Sequence, residues 1–125
     1  MTMNLKKVPC ELSICKLNSI AGIKLNLDFC FFAKTDDEIS LVCKTEDVSF
    51  DVITRDDGWC GFYFDEILDF SLIGILSKIS AVLAENNIGI FAVSTYNTDY
   101  ILVKSENFDK AVSVLKSNGY TFVED

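Results

Sequence analysis

The 125-residue chain has no histidine, one arginine (Arg55), one proline (Pro9) and one tryptophan (Trp59). Without an imidazole, neither a Ser-His nor a Cys-His nucleophilic pair can be built, and a common zinc ligand is missing. One arginine against 19 acidic residues leaves a net charge of −8 and no cationic face to neutralise a run of phosphates. No nucleic acid and no membrane surface is expected as a partner. Long hydrophobic runs are also scarce, and the longest, such as "FCFFA" at 29–33, reach about five residues. No apolar stretch of about seven follows Lys6 and Lys7, so no signal peptide or membrane span is expected and the default location is cytoplasmic.

Five cysteines, Cys10, Cys15, Cys30, Cys43 and Cys60, fall in the first half, with an odd total and no C-x-x-C pair. Neither a disulfide framework nor a zinc site is expected, and the thiols read as small core-filling hydrophobes. The acidic clusters "TDDE" (35–38) and "RDD" (55–57) lack the alternating carboxylates, central glycine and later glutamate of a calcium loop, and read as solvated faces. No glycine-rich phosphate cradle appears. The expectation is no metal and no cofactor. The competing chemical reading is thiol-based and would use Cys10, Cys15 or Cys60.

What is present is core material, since half the residues are hydrophobic. "WCGFYFD" (59–65) reads as an aromatic-rich strand. Leu72, Ile75, Leu76, Ile79, Val82 and Leu83 recur at three- and four-residue steps, one face of a helix that ends near Asn86-Asn87. Strands follow at 88–95 and 100–104. A second helix is expected over Phe108, Ala111, Val112 and Leu115, with Ser105 or Asn107 as N-cap and Gly119 ending it, and "YTFV" (120–123) closes as a strand. The order β-α-β-β-α-β is the split βαβ arrangement of a ferredoxin-like α+β fold, an antiparallel sheet with both helices on one face.

An internal repeat extends this reading to the first half. "FFAKTDDEISLVCK" (31–44) aligns with "FAVSTYNTDYILVK" (91–104) at a constant offset, Phe31 on Phe91, Thr35 on Thr95, Leu41 on Ile101 and Lys44 on Lys104. "ELSICKL" (11–17) supplies a first strand, but the segment 18–28 is too short for a full helical crossover, so the first copy's helices are expected to be stunted or lost. Two modules are expected, an abbreviated 1–58 and a complete 59–125, meeting near the turn signal Asp56-Asp57-Gly58.

Two stretches suggest a site. In "DFSLIGILSKI" (69–79), Gly74 stands where strand gives way to helix, and a first helical turn there presents unpaired N–H groups to a carboxylate. The polar run Ser94, Thr95, Tyr96, Asn97, Thr98 and Asp99 offers hydroxyls and one carboxylate to a cationic group. Taken together they suit an amino acid; the alternatives are that Gly74 serves tight helix-on-sheet packing and the polar run an ordinary hairpin turn.

Those motifs, "FSLIGIL", "STYNTDYILV" and "TDDEISLVC", resemble ACT domains, in particular tandem ACT proteins of the type found in the cytosolic arginine sensors called CASTOR. The resemblance runs from about Glu11 to Val123. It implies a non-catalytic regulatory module that binds an amino acid where two ACT units meet. By motif, the implied contacts are Ser71, Leu72, Ile73, Gly74, Ile75 and Leu76 at the loop, and Ser94, Thr95, Tyr96, Thr98 and Asp99 at the strand end. Asp99 would meet a ligand's cationic part. Phe91 and Val93 stand where many ACT-regulated enzymes carry acidic or amide side chains, so those enzymes' specificity does not transfer. A homodimer is expected, and the alternative is a structural or protein-interaction module with a vestigial site.

Overall fold

The computed structural model describes residues 3–48, 51–66 and 73–123. In chain order the elements are β1 (Met3–Lys7), β2 (Leu12–Leu17), β3 (Cys30–Lys34), β4 (Ile39–Lys44), β5 (Val52–Phe64), α1 (Ile75–Glu85), β6 (Phe91–Ser94), β7 (Asp99–Lys104), α2 (Phe108–Ser117) and β8 (Tyr120–Val123). Single 3₁₀ turns, Thr45–Asp47 and Ser105–Asn107, follow β4 and β7. The chain is α+β, and its contacts divide it into two compact units, Met1–Pro9 with Cys60–Asp125, and Cys10–Trp59.

In the larger unit the order β5-α1-β6-β7-α2-β8 is the expected β-α-β-β-α-β. Both helices pack on one sheet face, where Ile79 and Leu83 of α1 and Ala111 and Leu115 of α2 bury against Leu5, Phe62, Phe64, Ile101 and Val103. Phe62 meets Phe122 edge-on at 5.6 Å, filling the space under α2. Asn86, predicted to end α1, is its C-cap, and Asn87 follows with φ 60°. Asn107 occupies the N-cap of α2, but neither it nor Ser105 makes a side-chain capping bond, because the 3₁₀ turn Ser105–Asn107 leads directly into the helix.

Two expectations need correction. No strand is predicted before Glu11, yet β1 lies between two strands of the larger unit, antiparallel to β5 (Leu5↔Phe64) and parallel to β8 (Leu5↔Phe122). Residues 1–9 therefore group with the C-terminal half rather than with the first module. The second correction concerns Asp56-Asp57-Gly58, which is no turn but lies inside β5. Between the pairs Leu12↔Trp59 and Ile14↔Asp56 the register slips by one residue, and Gly58 absorbs the bulge at φ 81°.

The smaller unit is antiparallel, with β3 on β4, β4 on β2, and β2 on the first part of β5. Among its described residues there is no α-helix. Its core is built from Cys15, Leu17, Leu41 and Cys43, so two of the five thiols act as fully buried apolar groups, as their composition and spacing suggest. Ser13 is also fully buried, and its hydroxyl bonds both Asp57 and Thr45. A carboxylate only accepts, so Ser13 donates to Asp57 and accepts from Thr45.

Among the described residues no helix is long and apolar enough to cross a membrane.

Candidate functional site

The entry to α1 is set by Gly74, which sits at the N-cap with φ 81°, a left-handed conformation open to glycine at little cost. The first intrahelical bond runs from Lys78 N–H to the Gly74 carbonyl at 2.9 Å. The amides of Ile75, Leu76 and Ser77 precede it and have no intrahelical acceptor. Ile75 and Leu76 are half-buried against the core, whereas Ile73 is 92% exposed. Ser71 and Leu72 lie outside the described residues.

The second stretch forms the β6–β7 hairpin, in which Ser94 pairs with Asp99. Thr95 N–H donates to the Thr98 carbonyl at 2.8 Å, and the Thr95 hydroxyl donates to the same oxygen at 2.9 Å. The Thr98 hydroxyl is buried and donates to the Phe64 carbonyl at 3.2 Å. That bond fixes the hairpin turn beside the last residue of β5, the strand end from which the chain runs on toward α1. Two of the predicted hydroxyls are thus engaged in holding the turn. Ser94 and Tyr96 are exposed, Tyr96 at 82%, and among the described residues Asp99 has no ion-pair partner. Tyr100 lies against Tyr63 with ring centroids 5.1 Å apart, and burial, aided by Tyr63, pushes its hydroxyl above the ordinary tyrosine range.

A pocket of about 350 Å³ opens beside the start of α1, lined by Ile73, Ile75, Lys78, Met3, Asn118, Gly119 and Tyr120. Of the predicted site residues it gathers only Ile73 and Ile75. Sequence reasoning missed Lys78, Asn118 and Tyr120, which meet at the pocket through the packing of α1 and α2 on one core and the pairing of Met3 with Tyr120. Asn118-Gly119 is visible in sequence as a helix stop, but nothing local places that stop beside α1. The pocket's one ammonium and its polar amide suit a small ligand with an anionic group, on mostly apolar walls.

All five cysteines are free thiols, and burial pushes up those of Cys10, Cys15 and Cys43, the last to about 12. A thiol held protonated is a poor nucleophile, so the environments of these three disfavour thiol chemistry. Among the described residues no cluster of Cys, Asp and Glu can hold a metal ion. At the TDDE tip, the amides of Asp37 and Glu38 bond the Thr35 hydroxyl, each at 3.2 Å, and the carboxylates point to solvent with Glu38 bonding Ser40 at 2.7 Å.

Comparison with known proteins gives a consistent fold. A protein from Agobacterium tumefaciens is similar over 100% of this chain and 95% of its own, with 31% identity and a TM-score of 0.86. The ligand-free regulatory subunit of aspartate kinase from Thermus thermophilus is similar over 90% of this chain and 95% of its own, at 9% identity and a TM-score of 0.61. Aspartate kinase from Clostridium acetobutylicum matches 92% of this chain with 34% of its own length, at 12% identity and a TM-score of 0.66. No curated protein sequence matches the chain. The ACT-domain family model matches residues 54–117, just over half the chain and spanning both helices and the predicted hairpin, and the protein therefore belongs to the ACT-domain family.

Proposed function

We propose that this protein is a regulatory, non-catalytic ACT protein that binds an amino acid where ACT units meet, in a homodimer. The observation that carries this reading is the Thr98–Phe64 hydrogen bond, which sets the hairpin turn at the strand end leading into α1. Family membership supports the regulatory part, as does likeness to a chain of similar length that is itself a regulatory subunit.

In this reading the ligand carboxylate takes first-turn amides at Ile75 and Leu76, with Gly74 keeping the approach open and Ile73 beside it. Asp99 takes a cationic part, while Ser94 and Tyr96 cover the ligand. Thr95 and Thr98 act mainly as scaffold, since their hydroxyls already serve the turn and Phe64. The smaller unit is read as an abbreviated ACT repeat. Supporting this, β4 with its 3₁₀ turn and β7 with its own stand sixty residues apart and share one burial pattern.

The test is a thermal-melt panel of amino acids on the full chain. One amino acid is expected to raise the midpoint, and a concentration about 100 times its Kd adds roughly 2.7 kcal/mol. Asp99→Ala should abolish the shift for a cationic amino acid and leave the unliganded melt nearly unchanged. A flat response to the whole panel from a stable dimer would favour a structural or protein-interaction module instead.

A further inference from the structure

On the larger unit, away from the hairpin, a groove of about 360 Å³ runs along α2 beside the ends of β1 and β8. Its floor is apolar, with Phe108 and Val112 from successive turns of α2 and Phe122 from β8, and its rim carries Lys6, Lys7 and Lys116. The chain has eleven Lys and Arg, of which one is arginine, so three of its ten lysines border this single groove on a protein of net charge −8. Phe108 and Phe122 meet edge-on at 6.4 Å, and the Lys7 ammonium stands 4.6 Å from the Phe108 ring centroid. A lysine stem often lies along apolar surface with its charge in water, and that alone would explain one such residue. Two lysines from separate elements, Lys7 at a strand end and Lys116 on a helix, border the same apolar floor, and that needs more.

We propose that this groove is a second ligand site, one for a small amphiphilic carboxylate, with the anionic head between Lys7 and Lys116 and the apolar body on Phe108, Val112 and Phe122. Charge complementarity selects the head. The volume, near the lower end for small-molecule sites, limits the body to a single alkyl chain or a ring or two and leaves no room for a folded partner. None of these residues belongs to the hairpin or to the entry of α1, so the site stands independently of the amino-acid reading.

The experiment titrates the full chain with decanoate, followed by calorimetry and by backbone amide shifts, with decanol and acetate as controls. Saturable one-site binding of decanoate is expected, with shifts along α2, β1 and β8, and both controls should bind far more weakly. Lys7 and Lys116 are exposed, so Lys7→Gln and Lys116→Gln should keep the wild-type melt and each weaken decanoate binding roughly two- to fivefold. Val112→Glu, which puts a carboxylate on the floor, should weaken it more than about tenfold. Lys34→Gln, on the smaller unit, should change nothing. The proposal is overturned if decanol binds as well as decanoate, if acetate does, or if the lysine variants bind undiminished. It is equally overturned if the chain ignores monomeric decanoate and binds only anionic phospholipid vesicles, which would make the patch a membrane-surface contact.

Discussion

Thr35 and Thr95, sixty residues apart, make the same turn. The Thr35 amide donates to the Glu38 carbonyl at 2.9 Å and the Thr95 amide to the Thr98 carbonyl at 2.8 Å, and each threonine hydroxyl reaches the same carbonyl as its amide. The strand registers coincide as well, Phe31↔Val42 with Phe91↔Leu102 and Lys34↔Ile39 with Ser94↔Asp99. The backbone is repeated while the exposed chemistry is not, since one tip carries Asp36, Asp37 and Glu38 and the other Tyr96, Asn97 and Thr98.

The first prediction follows from the difference in burial. The Thr95 hydroxyl bond is shorter, 2.9 Å against 3.5 Å for Thr35, and Thr95 is half-buried where Thr35 is exposed. Thr95→Val should cost about 1 kcal/mol and Thr35→Val about half of that or less, by urea denaturation. Equal costs would mean that the two turns share one energetics as well as one geometry.

Gly74 and Gly89 provide a second test, because a methyl group at either meets nothing within 4 Å and only Gly74 has positive φ. Gly74→Ala should therefore destabilise by about 1–2 kcal/mol through the backbone alone. Gly89→Ala should be neutral or stabilising, by up to about 1 kcal/mol, through the unfolded chain's lost freedom. If Gly74→Ala melts like wild type, the left-handed turn into α1 is not held in solution.

Periodicity and repetition made most of this fold legible. The six apolar residues recurring at three- and four-residue steps from Leu72 to Leu83 mark α1, and the match of Lys44 to Lys104 marks two hairpins of like register. β1 was hidden because "MNLKK" carries one buried leucine between polar residues, and its partners Phe64 and Phe122 lie far along the chain. Within the candidate site the same split recurs. The polar run is visible as a unit, but the Thr98 hydroxyl bonds Phe64, 34 residues away, and Lys78 joins Tyr120 through the packing of α1 and α2 on one core. Local sequence carries local structure, and the side-chain roles depended on long-range register.

The buried Ser13 hydroxyl links β2 to the 3₁₀ turn and to the β5 bulge through Thr45 and Asp57. Ser13→Ala should cost about 1–2 kcal/mol. Asp57 also holds Arg55 at 3.0 Å, at the surface, where the pair adds little. In a double-mutant cycle, Ser13→Ala and Asp57→Ala should therefore couple by at least about 0.5 kcal/mol, because each removes the same hydrogen bond. Additive costs would show that the bulge holds its shape without that bond.

Cys43 makes stability depend on alkaline pH. The folded protein keeps its thiol protonated up to about 12, chiefly by burial and next by the neighbouring Cys15, whereas the unfolded chain releases the proton near the ordinary value of 9.0. Between those values the native state binds more protons than the unfolded state, so the contribution is complete below about pH 9 and is lost as pH rises toward 12. Cys10, Cys15, Tyr100 and Tyr120 are shifted upward as well and add to the same slope. Under reducing conditions, denaturation midpoints should hold steady up to about pH 9 and then fall. Cys43→Ala should lower the plateau, through the lost sulfur contacts, and make the alkaline slope shallower, so the two effects separate on one plot. An unchanged slope would mean that the Cys43 thiol reaches water in the native state.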